Sequence, residues 1–155
     1  MLHQLLIHNI HSTRAKSMQV WNTYDQNDYL HIPYTGAMHL LQMVRHIYTV
    51  QCWYTQLIIT RGNVALITMP SNHMPYTNLE AEIENGTPYT TQLVACINAH
   101  TAEELHTVII NRTDKPFTMS IANLVLRAIY HEGYHTGQLI QRLKILQQPI
   151  PDIWN

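Results

Sequence analysis

Apolar residues recur at every third or fourth place in four long stretches of this chain, and almost nowhere do they alternate as in a strand. The first stretch, about residues 2–24, carries Leu2, Leu6, Ile10, Val20, Trp21 and Tyr24. Its middle is polar, which makes its stripe the weakest of the four. A turn-rich break closed by Pro33 and Gly36 follows. The second stretch, about residues 37–59, places Met43, His46, Val50, Trp53 and Leu57 on one face. Leu40, Val44, Ile47 and Tyr54 widen that face, and Arg61 and Gly62 suit a helix end.

Residues 62–86 form a long connection containing Pro70 and Pro75. Its V-A-L-I-T-M run (64–69) reads as a short strand or a buried extended piece. T-N-L-E (77–80) has the form of a capping box whose turn would end near Gly86. Connections this long usually carry their own packing, so this one is expected to cover one end of the core. Thr87 followed by Pro88 reads as the start of the third helix, a capping hydroxyl before a proline in the first turn. That helix would run to about Arg112 and bury Leu93, Val94, Ile97, Leu105, Val108 and Ile109. After N-R-T-D-K-P-F, Thr118 or Ser120 opens the fourth, which runs to about Gln147 before Pro149 and Pro151 stop it. Ile121, Leu124, Val125, Ala128, Leu139 and Leu143 are among its apolar positions. Four long helices and no sheet predict an all-α protein, a four-helix bundle forming a single domain over residues 1–155.

Composition narrows the function classes. Charged residues make up 12% of the chain, about half the usual share of roughly 25%. With a formal net charge of -1, self-repulsion is weak, which favours self-association or reflects no more than a compositional habit. Nine Lys and Arg against ten Asp and Glu leave no basic stripe, which argues against a nucleic-acid partner. Cys52 and Cys96 lack metal or redox spacing and read as free, buried thiols. The N-terminus has no basic start or cleavage site, and no apolar run approaches the roughly 20 residues that span a bilayer. A cytoplasmic protein with no membrane partner is the expectation.

Eleven histidines are many for 155 residues. His3, His8, His11, His31, His39, His73, His100 and His106 read as surface or satisfied side chains, with His8 and His11 a chance pair at helical spacing. His131 and His135 differ: four residues apart on the fourth helix, they continue the stripe of Leu124, Ala128, Leu139 and Leu143 into the bundle interior. Buried ring nitrogens need partners. Either side chains and water supply them, or a divalent metal does. A metal site with an open position takes three protein ligands, and His46, on the apolar face of the second helix, is the best third candidate.

The same stretch, H-E-G-Y-H-T-G-Q (131–138), contains the H-E-x-x-H spacing of zinc peptidases, in which Glu132 would be the general base. Their third ligand usually lies downstream. Only Asp152 follows as an acid, Gln141 stands where the extended motif needs histidine, and Gly137 falls one place early. No sheet supplies the edge along which such enzymes hold substrate. These departures disfavour the peptidase reading.

A-I-Y-H-E-G-Y-H-T-G-Q-L-I-Q-R-L (128–143) closely resembles the last helix of the DinB/YfiT-like family, with its H-x-x-x-H-x-G-Q signature. A-M-H-L-L-Q-M-V-R-H-I-Y-T-V-Q-C-W (37–53) is similar to the family's second helix, whose single histidine falls at His46. The resemblance covers nearly all of the chain. It implies a four-helix bundle with His46, His131 and His135 on a divalent metal, zinc or nickel, often in a homodimer. Gly137 would then let a neighbouring helix approach, and Gln138 would orient a ligand or bound water. Glu132, turned about 100° around the helix from His131, points to the edge of the site as a proton carrier or pairs at the surface.

Members of that family include metal-dependent transferases and isomerases that use a thiol such as bacillithiol or mycothiol. The resemblance therefore implies a metal-dependent thiol S-transferase or related detoxification enzyme, with a small-molecule thiol and an electrophile as partners. Arg45, Arg127 and Arg142 are the cations by helical position that such a thiol's negative charge could meet, and each also reads as plain surface charge. The alternative is a metal-binding stress-response protein without turnover. An enzyme needs a cleft reaching the metal, whereas a structural site would be closed.

Overall fold

The computed structural model describes residues 1–70 and 74–154; His73 lies outside the described residues. Four long helices pack as a bundle: α1 (Leu2–Trp21), α2 (Leu40–Ile59), α3 (Leu79–Asn98) and, after a short α4 (Ala102–Thr107), α5 (Ile121–Ile145). A two-stranded antiparallel hairpin, β1 (Ile109–Asn111) and β2 (Thr118–Ser120), leads directly into α5. Short 3-10 turns occupy Gln26–Asp28 and Val64–Leu66. Among the described residues no helix is long and apolar enough to cross a membrane.

Three sequence expectations are corrected. The third helix begins at Leu79, not at Pro88, because the Asn78 side chain accepts from the Ala81 N–H at 2.8 Å and opens the helix there. Pro88 sits inside the helix on an exposed face, where its missing N–H leaves one carbonyl to solvent. The same helix stops at Asn98 rather than Arg112. Thr101 and Glu104 then build a capping box that starts α4, and the break predicted at 111–117 is a hairpin loop. Finally, Val64–Leu66 is a helical turn rather than a strand. The turn into it needs glycine: Gly62 has φ +85, and a Cβ there would lie 2.1 Å from the Asn111 carbonyl oxygen.

The core is divided along the bundle axis. One apolar cluster gathers Val20, Trp21, Leu41, Ile47, Leu79 and Leu143, and a second gathers Leu6, Ile10, Ile58, Leu93, Leu105 and Val125. In sequence, each long helix passes from one cluster to the other through buried polar residues. Arg14 and Ser17 on α1, Gln51 and Thr55 on α2, Thr90 on α3, and Glu132 and Thr136 on α5 form this layer. Arg14 donates to Glu132, Thr90 and Gln51, while Ser17 and Thr136 share a hydrogen bond of 2.8 Å. The polar middle of the first stripe is thus explained. Arg14 and Ser17 lie on the buried face of α1 because polar partners on the other helices await them.

Candidate metal centre

The histidines stand at the level of this polar layer. His46 projects from α2 and His131 and His135 from successive turns of α5, and their Nε2 atoms converge. The His131 Nε2 lies 3.1 Å from that of His46 and 3.0 Å from that of His135. All three ligand atoms fall within 4.8 Å of one another. Two zinc–nitrogen bonds of 2.0–2.1 Å at a tetrahedral angle would separate their nitrogens by about 3.3 Å, so the spacing suits a single cation.

Gln138, one turn beyond His135, accepts at its Oε1 from the His135 Nδ1 at 2.7 Å. This contact places the His135 proton on Nδ1 and turns the Nε2 lone pair inward. The two contacts to His131 Nε2 then cannot both be linear hydrogen bonds, since one ring nitrogen carries at most one proton. A cation satisfies all three lone pairs at once. Burial holds the His131 imidazole down at about 4, with His135 and His46 adding to the effect. Burial and His135 also lower His46. Neutral imidazoles are the form that ligates metal.

Access comes from two sides. A cavity of about 290 Å³ reaches His135 and Gln138 from beneath the 33–38 loop, where Met38, Met43 and Arg142 also line it. A smaller hollow of about 130 Å³ touches His46, Gln42, Thr49 and Tyr76. Neither thiol stands ready as a nucleophile: Cys52 and Cys96 are free and buried, and burial pushes both up from their ordinary values.

The predicted site residues divide. His46, His131, His135 and Gln138 come together. Glu132 does not lie at the surface: it is 4% exposed, and both carboxylate oxygens are held by Arg14, at 2.6 and 3.0 Å. Gly137 is exposed with nothing within 4 Å of a Cβ placed there. Arg45 is bound bidentately by Glu82 and Arg127 is exposed, but Arg142 is buried. The other described histidines are surface-exposed or have hydrogen-bond partners. His3 meets the His100 carbonyl, His100 meets that of Cys96, His39 caps α2, and His8, His11, His31 and His106 are exposed. Among the described residues no third ligand gathers with His8 and His11.

The fold and the site define an all-α bundle protein with three histidines able to hold a metal ion. The family model of the DinB superfamily matches residues 9–139, and the chain belongs to that superfamily. The structure is similar to the crystal structure of a DinB-like protein, YjoA, from Bacillus subtilis. The two share a TM-score of 0.70 and 20% sequence identity, with 96% of each chain covered. At that identity the likeness speaks for the fold. No protein of curated function matches the sequence.

Proposed function

We propose that the protein binds one divalent metal, zinc or nickel, on His46, His131 and His135 and uses it as a thiol S-transferase of the bacillithiol type or a related detoxification enzyme. The observation that carries this reading is the convergence of three Nε2 atoms beside a cavity that reaches His135. When bound, such a metal favours the thiolate form of a coordinated thiol at neutral pH. The chain's own residues supply the rest. The three imidazoles set the ligand geometry, Gln138 fixes the His135 tautomer, and Met38 and Met43 offer an apolar wall against which substrate can exclude water.

The alternative, a stress-response protein that holds metal without turnover, requires a closed site, and the cavity at His135 favours the enzyme. Glu132 serves this reading as a positioning residue that holds α5 through Arg14, rather than as a proton carrier. Pairing of two copies belongs to the same proposal. Leu126, Tyr130 and Tyr134 are 47%, 76% and 57% exposed and recur every fourth residue along α5. Light scattering on the wild type and on Tyr130→Glu decides that point.

The deciding experiment is elemental analysis of tag-free protein purified without added metal or chelator, beside His135→Ala. About one zinc or nickel per chain, lost in the variant, supports the site and justifies a screen of thiols against electrophiles. A wild type that takes up no metal even on reconstitution overturns it.

A further inference from the structure

Arg142 lies about 10 Å along α5 from His135, two turns on the same helix. It is only 7% exposed, and its partners are few. Nη2 donates to the Met38 carbonyl at 2.7 Å, while Nη1 is buried with no hydrogen-bond partner. Among the described residues no carboxylate pairs with it. Arg14 and Arg45, by contrast, are each bound by a glutamate, Glu132 and Glu82. A guanidinium taken out of water without a counter-ion is costly, and proteins rarely bury one to no purpose.

The side chain lines the same cavity of about 290 Å³ that reaches His135. Gln138 and Gln141 lie on the same wall, and Met38, Met43 and Ile145 make part of it apolar. A planar guanidinium fork pairs best with a carboxylate, two N–H groups to two oxygens. The unpartnered Nη1 thus belongs to a side chain that already lines the cavity.

We propose that this cavity is an anion subsite in which Arg142 binds the carboxylate of a small-molecule substrate or cosubstrate. The bound carboxylate supplies the counter-ion that the described residues do not, and the methionines cover the carbon skeleton between it and His135. This deepens the functional reading above and rests on it for the identity of the reacting group. The substrate class it names is a carboxylate-bearing small molecule, and a thiol cosubstrate of this protein would be a mercapto acid.

Succinate and its neutral diamide, succinamide, test the subsite without a thiol. Both are titrated calorimetrically into the full-length protein, as purified and again after metal has been stripped with phenanthroline. Succinate is expected to bind with at least a ten-fold preference over succinamide in both forms. Arg142→Met is expected to lose at least ten-fold in succinate affinity while keeping its helicity and metal content, since the substitution removes an unpaired buried charge. Arg142→Lys keeps the charge without the fork and is expected to fall between the two. It also carries the test if the methionine variant fails to fold. Equal binding of the two probes, undiminished succinate binding in the variants, or no succinate binding at millimolar concentration overturns the proposal. Failure of the metal reading shows itself separately. A protein that binds succinate through Arg142 yet never takes up metal keeps the subsite and loses the centre.

Discussion

Arg14 of α1 clasps both oxygens of Glu132 on α5, one residue along the helix from His131. The pair is almost completely desolvated, and its remaining donors go to Thr90 and Gln51, so that all four long helices meet at one guanidinium. Removing one partner of such a pair strands the other charge, at a cost of about 3–5 kcal/mol. Glu132→Ala should therefore lower the stability of metal-free protein by about that amount in urea denaturation. Arg14→Met combined with Glu132→Leu should recover most of the loss, because no charge is then left buried. If Glu132 were instead an exposed proton carrier, the single variant would cost stability little.

The three histidine nitrogens point toward one another, so a bound metal should stabilise the fold by mass action. At a free metal concentration one hundred times its Kd the gain is about 2.7 kcal/mol. Wild-type protein should show a metal-dependent rise in melting temperature. His131→Ala and His46→Ala should show none while melting, metal-free, close to the wild type. Scanning calorimetry with and without added zinc makes the comparison.

Gln138 acts on the metal only through His135, by accepting its Nδ1 proton. Partners of this kind typically contribute 10–100-fold to metal affinity. Gln138→Ala should thus bind zinc about 10–100-fold more weakly in a competition titration against a chromophoric chelator, with its fold intact. Unchanged affinity would mean that the contact does not orient the ligand.

Much of this was legible in the sequence, and what was not has physical reasons. The stripes of α2 and α5 and the four-residue spacing of His131 and His135 follow directly from helix geometry, and His46 stands out on the apolar face of α2, whereas the role of Gln138 came from the resemblance to the family's last helix. The start of α3 was misread because Thr87–Pro88 carries a helix-start signature as good as that of Asn78. What overrode it is tertiary: Gly86 and the turns around it pack on Tyr48, so the helix continues through the proline. Residues 109–120 carry too few positions for a strand pattern to declare itself. Arg14 and Ser17 looked like a gap in the first stripe because periodicity is read from apolar residues alone. Arg142 occupies a helix position where long charged side chains normally reach water, but it is 7% exposed and donates to the Met38 carbonyl.

Gly86 marks the closest approach of α3 to α2. A Cβ at this position would lie 2.2 Å from the Tyr48 ring. That ring is already held on other sides: it is 2% exposed, lies 3.8 Å from the Arg14 guanidinium and packs against Trp21. Gly86→Ala should accordingly destabilise the protein, against the usual gain from alanine in a helix, by about 1–3 kcal/mol of overpacking. Urea denaturation of the variant beside Gly137→Ala separates the two effects. Gly137, with open space around it, should gain slightly in stability.

The start of α2 should make stability depend on pH. His39 caps this helix by accepting the Gln42 N–H on its Nδ1 at 3.1 Å, which it can do only while that nitrogen is unprotonated. Burial, followed by the Arg142 and Arg45 cations, holds His39 below its ordinary value, against an opposing pull from Glu82. Above about pH 6.5 the folded and unfolded chains are both neutral here and the cap contributes in full. As pH falls below that, the unfolded chain takes up a proton that the folded chain resists, so stability declines. Once the folded His39 is itself protonated, the cap is gone. Asparagine caps as well and does not titrate. His39→Asn should therefore lose less stability than the wild type between about pH 7.5 and about pH 5.5, with the other histidines cancelling in the comparison. Parallel denaturation midpoints across that range would mean that His39 does not hold the helix start.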